Sequence, residues 1–402
     1  KVPLTNSELI KALFVLDAQK SKTKDIGKLK AFELTSEWDA IENQLQDKNF
    51  WYFICDHSYY KKLDTRIDFI IDLANNISPT KHWDDKEAYR KYENLFLEGK
   101  PLDWITIKQV FNKLVEWYSD TENKELYHYI GYLVNTNTLQ LAEIVKLSKG
   151  NNKEEFKKLL LSKIKSKLNS TKKREGNLTN TYHLKELDYE KGRIECEQVL
   201  LLLNIEQFVK DKSANKFPFD LYNEESWSVE HINPQNPKDF ENFKALKNWL
   251  QSFKNYFIVN NTEEDLILKI DDFLEKTRTL DETKTTTELR LKQEVSQLLN
   301  NIIEQITALL KLHEIGNLTL LDRNTNSSLG NKLFIDKRTE ILNISHSINK
   351  REAYIPNCTK DVFTKTFTNK KEAITSDIFG FDDMENYTSY IEKQLKKYYT
   401  ND

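Results

Sequence analysis

The stretch WSVEHINPQNP, residues 227–237, decides how this chain reads. Its first half is short, aromatic and β-branched, which predicts a strand. Glu230 and His231 stand side by side at the strand's end. Pro234 then stops regular ladder pairing. Neighbours in a regular strand point to opposite faces. Glu230 and His231 therefore share one site only where the strand bends, and the proline-containing loop supplies that bend. Downstream, IGNLTLLDRNTN, residues 315–326, gives a second strand opened by Asn317 and a polar turn carrying Asn326. SSLGNKLFIDKRTEILN, residues 327–343, continues as an amphipathic helix. Strand, loop, strand, helix is the order that a compact ββα unit requires.

That order suits phosphodiester hydrolysis. A metal-dependent nuclease needs a base for water, a hard cation beside the scissile phosphate and a group that holds the base in place. Histidine suits the first task because its ordinary pKa lies near neutrality. Carboxylate and amide oxygens suit Mg²⁺. His231 at the end of the first strand and Asn326 at the turn before the helix can face each other across a hairpin. Asn317 can hydrogen-bond the backbone around His231. A histidine base of ordinary pKa predicts a rate that falls below about pH 6–6.5.

Working outward, the first two hundred residues read as helices. The patterns cover LTNSELIKALFVLDAQ, with Thr5, Asn6 or Ser7 as N-cap, and then 33–45, 65–74, 86–97, 105–118, 124–147 and 154–168. Residues 169–181 are polar and charged and predict a loop or linker. The helix over 189–209 contains VLLLLNI and is expected to be buried on most sides. KFPFDLY, residues 216–222, predicts a strand partnered with SWSVEHI around a turn. A helix follows from 239 to about 258, an exposed Thr-rich stretch over 277–287, and a long helix over 288–312.

Composition removes several classes. The 402 residues are 39% hydrophobic and 31% charged, with a net charge of −3, so no whole-protein basic footprint for nucleic acid exists. No apolar run reaches the ~18 residues of a membrane span. Three scattered cysteines, with no CxxC pair, fit a reducing cytoplasm and no zinc–thiolate site. Only nine glycines are present, and neither GxxxxGK[ST] nor GxGxxG occurs.

WSVEHINPQ followed by IGNLTLLDRNTNSSLGNKLFIDKR resembles the HNH-like (His-Me finger) nuclease domain of the GmrSD-type modification-dependent restriction endonucleases. KVPLTNSELIKALF, FWYFICD with TRIDFIIDL, LLLLNIEQ and KFPFDLY resemble that family's helical region, and YIPNCTKDVFTK its tail. The resemblance implies a mainly α protein in which a multi-helical domain carries a small ββα-metal nuclease unit. It implies domains at 1–211 (helical), 212–356 (nuclease, with a helical insert at about 239–312) and 357–402 (helical tail packed on the nuclease domain). It implies roles residue by residue: His231 as general base, Asn317 as the brace, Asn326 and Glu230 as ligands of Mg²⁺, Mn²⁺ or another divalent cation, and Lys337 and Arg338 as phosphate contacts. Gln235 matches the motif and is grouped with the DNA-binding residues. The expected activity is nicking of modified phage DNA in a bacterial defence system, in the cytoplasm. A homodimer is one route to a double-strand break, and a ParB-like sensing domain is expected ahead of residue 1.

Each residue also has a plainer reading. Asn326 can be an N-cap alone, Asn317 a turn residue, Glu230 a surface ion-pair partner, and Lys337 and Arg338 a solvated face. His57 and His128 read as packing or surface residues. His313 is close enough to the motif for a substrate-side role. KIKSKL and STKKREG read as solvent-facing basic runs, and FWYFICDHSYY as helical core. The alternative to an enzyme is a catalytically inactive helical subunit that binds DNA or a partner.

Overall fold

The computed structural model describes residues 4–20, 23–55, 58–63, 65–77, 86–174, 177–213, 215–234, 240–346, 354–367 and 378–399. It is mainly helical. The chain forms two units: Lys1–Lys167 with Phe208–Glu224, and Leu168–Gln207 with Glu225–Asp402. No helix among the described residues is long and apolar enough to cross a membrane.

The first unit is all helical. Thr5 and Glu8 close a capping box on Asn6–Gln19, satisfying backbone N–H groups that the first turn leaves unpaired. The pattern over 124–147 resolves into two helices, Lys124–Asn135 and Leu141–Ser148, separated where Asn137 adopts φ 50°. Phe50, Trp51, Phe53 and Ile54 are fully buried, as FWYFICD predicts. KFPFDLY is not a strand. Residues 215–218 lie outside regular structure, and Phe219–Glu224 is a short helix that starts directly after Pro218. Proline disfavours helix at the preceding residue and favours it at the next. Phe217 and Phe219 sink into the core, with Phe219 5.5 Å from the Tyr127 ring. Their aromatic character therefore reflects burial, not strand pairing.

The second unit starts earlier than the expected 212. Residues 168–207 belong to it because the apolar helix Tyr189–Lys210 finds its partners there. Asn204 Oδ1 accepts from the Cys358 N–H, Gln207 donates to Asp361, and the Tyr398 hydroxyl donates to Glu206. The expected linker at 169–181 contains a hairpin, Thr171–Arg174 paired with Asn177–Asn180. The strand Ser228–His231 pairs antiparallel with Leu318–Leu321, placing His231 opposite Leu318 and Glu230 opposite Thr319. The residues between them fold as their own cluster of helices, including Phe243–Asn260, Glu264–Lys276 and Gln293–Leu309. Phe243, Leu250, Phe253, Ile270, Phe273, Ile302 and Ile306 fill that cluster. A self-packed insert of this kind lets two distant strands meet without a long structureless loop. In the tail, Asn357–Thr364 packs on the second strand, where the Thr359 hydroxyl donates to the Leu320 carbonyl. The helix Phe381–Leu395 packs against the turn Ile315–Asn317. A Cβ on Gly316 would lie 2.5 Å from Thr388 Oγ1 and 2.6 Å from the Met384 carbonyl, so only glycine admits this approach.

Candidate active site

The second strand continues into the helix Arg323–Leu329, capped by Asp322, whose carboxylate accepts from the N–H groups of Asn324 and Thr325. Gly330, at φ 48°, breaks that helix, and Phe334–His346 follows. Asn326 projects from the short helix. Its Nδ2 donates to Ser228 Oγ at 2.7 Å and to the Val229 carbonyl at 3.2 Å. The amide hydrogens thus tie helix to strand, and this pattern fixes Oδ1 as the other end of the group. Asn326 does not cap the helix; Asp322 does.

Asn317 is fully buried. Its Oδ1 accepts from the backbone N–H of Asn233 at 2.9 Å and from Asn233 Nδ2 at 3.2 Å, and its own Nδ2 donates to the Leu312 carbonyl at 2.8 Å. Its carbonyl accepts from the Ile232 N–H at 2.8 Å. Asn233 also donates to the Phe379 carbonyl. Both residues that follow His231 are therefore held from the second strand's starting turn.

Lys337 is where the geometry departs most from the sequence reading. It is 1% exposed. Its ammonium donates to Glu230 Oε1 at 2.6 Å and to the His231 carbonyl at 2.7 Å. It is an internal cation tied to the first strand, not a member of a solvated basic face. Burial pushes the Glu230 carboxyl up, opposed by Lys337, and pushes the Lys337 ammonium down, opposed by Glu230. Arg338 is half-buried on the same helix and does not border the site cavity. Gln235 lies outside the described residues.

His231 is 6% exposed. Its ring meets Tyr189 edge-on at 4.7 Å and His313 at 5.5 Å. Burial, then the charges of His313 and Lys337, hold it down to about 3. The imidazole is therefore neutral at pH 7 and stays neutral well into acid. An imidazole so held is not protonated in the pH 6–6.5 range in which an ordinary histidine titrates.

One cavity of about 300 Å³ collects these groups. Tyr189, Arg193, Ser228, Val229, Glu230, His231, Asn326, Gly330, Asn331 and Lys337 line it. Of the expected site residues, His231, Glu230, Asn326 and Lys337 meet here, while Asn317 supports the loop from behind. Tyr189 and Arg193 were invisible to the sequence motif. They arrive because the Tyr189 N–H donates to the His313 carbonyl and the Ile315 N–H to the Leu187 carbonyl, clamping residues 187–189 beside the second strand. Asn233 was missed too, although it lies within the quoted motif.

The donor set can be tested against a cation. Among the described residues, no three His, Cys, Asp or Glu side chains form a metal cage. The lining includes Asn326, whose amide nitrogen is spent on Ser228 and Val229, and the Glu230 carboxylate, with one oxygen on Lys337. Hard oxygen donors in small number fit Mg²⁺ or a similar ion that keeps waters and completes its shell with substrate phosphate.

Residues 307–375 match the family described as "GmrSD restriction endonucleases, C-terminal domain". The match takes in Asn317, Asn326, Lys337 and Arg338; Glu230 and His231 lie upstream of it. Neither the curated proteins nor the solved structures give a significant match. The two strands, the short helix and the buried asparagine brace thus lie inside or against a region similar to the C-terminal domain of the GmrSD restriction endonucleases.

Proposed function

We propose that this protein is a divalent-metal-dependent DNA endonuclease that nicks modified phage DNA in a bacterial restriction system, through an HNH-like ββα unit. The observation that carries this reading is convergence. Two segments almost ninety residues apart deliver a neutral imidazole, a carboxylate and an asparagine amide to one small cavity.

His231 accepts a proton from the attacking water through its neutral ring. Its depressed pKa keeps it in the accepting form, at the cost of a weaker base. Tyr189 and His313 pack against the ring and restrict its tilt. Asn317 fixes the backbone after the base through Ile232 and Asn233. Asn326 and Glu230 would hold the cation, which when bound supplies charge stabilisation for the phosphate and the leaving oxygen. Lys337 orients the Glu230 carboxylate and offsets its charge. A single such site per chain cuts one strand at a time.

The test is conversion of supercoiled plasmid to nicked circle by the full chain with Mg²⁺ or Mn²⁺, against EDTA, alongside modified phage DNA. Metal-dependent nicking, faster on modified DNA, is expected. Cutting of equal rate in EDTA would overturn the metal assignment, and equal rates on both DNAs would overturn the substrate assignment.

A further inference from the structure

The expected phosphate contacts leave a gap. Lys337 is buried on Glu230, and Arg338 does not border the cavity. A phosphodiester entering beside His231 still carries negative charge that the site must meet. Arg193 is the arginine that lines the cavity. It is exposed, and it makes no ion pair with any carboxylate among the described residues. Its guanidinium stands 5.7 Å from the centroid of the Tyr189 ring, and that same ring packs edge-on against His231 at 4.7 Å. Tyr189 therefore bridges the arginine and the imidazole. The clamp between residues 187–189 and 313–315 anchors it. Gly192, with non-helical φ −155° and ψ 52°, kinks the chain between Tyr189 and Arg193, so the arginine does not simply follow the first turn's helical path.

We propose that Arg193 binds a backbone phosphate of the DNA strand held at His231, and that Tyr189 positions it. This rests on the endonuclease reading above. A guanidinium recognises a phosphate through two parallel N–H donors, which an ammonium cannot reproduce. An exposed guanidinium 5.7 Å from an aromatic ring centroid, with no carboxylate partner among the described residues, can make that contact without first breaking an ion pair there.

The experiment measures binding of a short fluorescein-labelled DNA duplex by anisotropy across a salt series. It uses the His231→Ala chain and the same chain with Arg193→Gln or Arg193→Lys, and nicking is measured with His231 intact. Arg193→Gln is expected to weaken binding about tenfold and to make the slope of log K against log salt shallower by ~0.9, the share of one phosphate. Arg193→Lys is expected to recover the slope but only part of the affinity. Unchanged affinity and slope in Arg193→Gln, with nicking by the parent chain intact, would overturn the proposal and leave the endonuclease reading standing. A parent chain that neither binds nor nicks would overturn both.

Discussion

His128 and His231 are both buried, and both are held neutral. His128 in the first unit is 0% exposed and pushed down to about 4; His231 in the second is 6% exposed and pushed down to about 3. Burial and a depressed pKa thus fail to tell them apart. Their surroundings do. His128 Nδ1 meets the Lys124 carbonyl of its own helix at 2.7 Å, and its Nε2 accepts from the Phe217 N–H at 3.2 Å. Both ring nitrogens are consumed, one by its own helix and the other in holding the segment before Pro218 to the core. His231 borders a cavity, with a buried ion pair on one side and two rings on the other. A perturbed histidine indicates chemistry only when a reactant can reach it.

The largest expected effect that sharpens this contrast is on Lys337. Removing it leaves Glu230 buried without its counter-charge. Lys337→Met should destabilise the protein by roughly 3–5 kcal/mol in urea unfolding. Adding Glu230→Gln should restore much of that loss. A Lys337→Met chain of unchanged stability would mean that the pair is not maintained in solution.

Asn317→Ala comes next. It removes the acceptor for the Asn233 N–H and the donor to the Leu312 carbonyl, and should cost about 1–3 kcal/mol. The nicking rate constant should fall while DNA affinity holds, because the loop after the base loosens and the DNA contacts remain. Equal losses in rate and affinity would argue against a bracing role.

The smallest effect concerns His128. Its folded pKa lies below the ordinary value of 6.5, so its contribution is fully present above pH 6.5 and is lost as pH falls toward about 4. Stability should therefore decline as pH falls through that window. His128→Gln keeps an acceptor for the Phe217 N–H but does not titrate. Its stability should therefore fall less steeply than that of the parent between pH 6.5 and 4. Identical slopes would mean that His128 opens to water before it titrates.

How much of this could be read beforehand follows from range. SVEHI and NLTLL were legible as strands because β-branched residues and flanking breakers act locally. Asn317 was legible because its position at the strand's start constrains what it can reach. KFPFDLY was misread because aromatic residues beside a proline suit an extended strand and a buried helix start alike. Lys337 was misread because a Lys-Arg pair on an amphipathic helix looks solvent-facing. Only the approach of Glu230, more than a hundred residues earlier, buries it. Arg193 and Tyr189 carried no signal at all, since the backbone clamp that delivers them joins segments with no shared motif.

The most direct test of the central claim places His231→Ala and His128→Gln side by side in the metal-dependent plasmid nicking assay, after each is shown to be folded. The account predicts that His231→Ala loses between roughly 10²- and 10⁴-fold in rate, while His128→Gln nicks at the parent rate wherever it is folded. Parent-like nicking by His231→Ala would contradict the account, and the base would then have to be sought elsewhere in the chain.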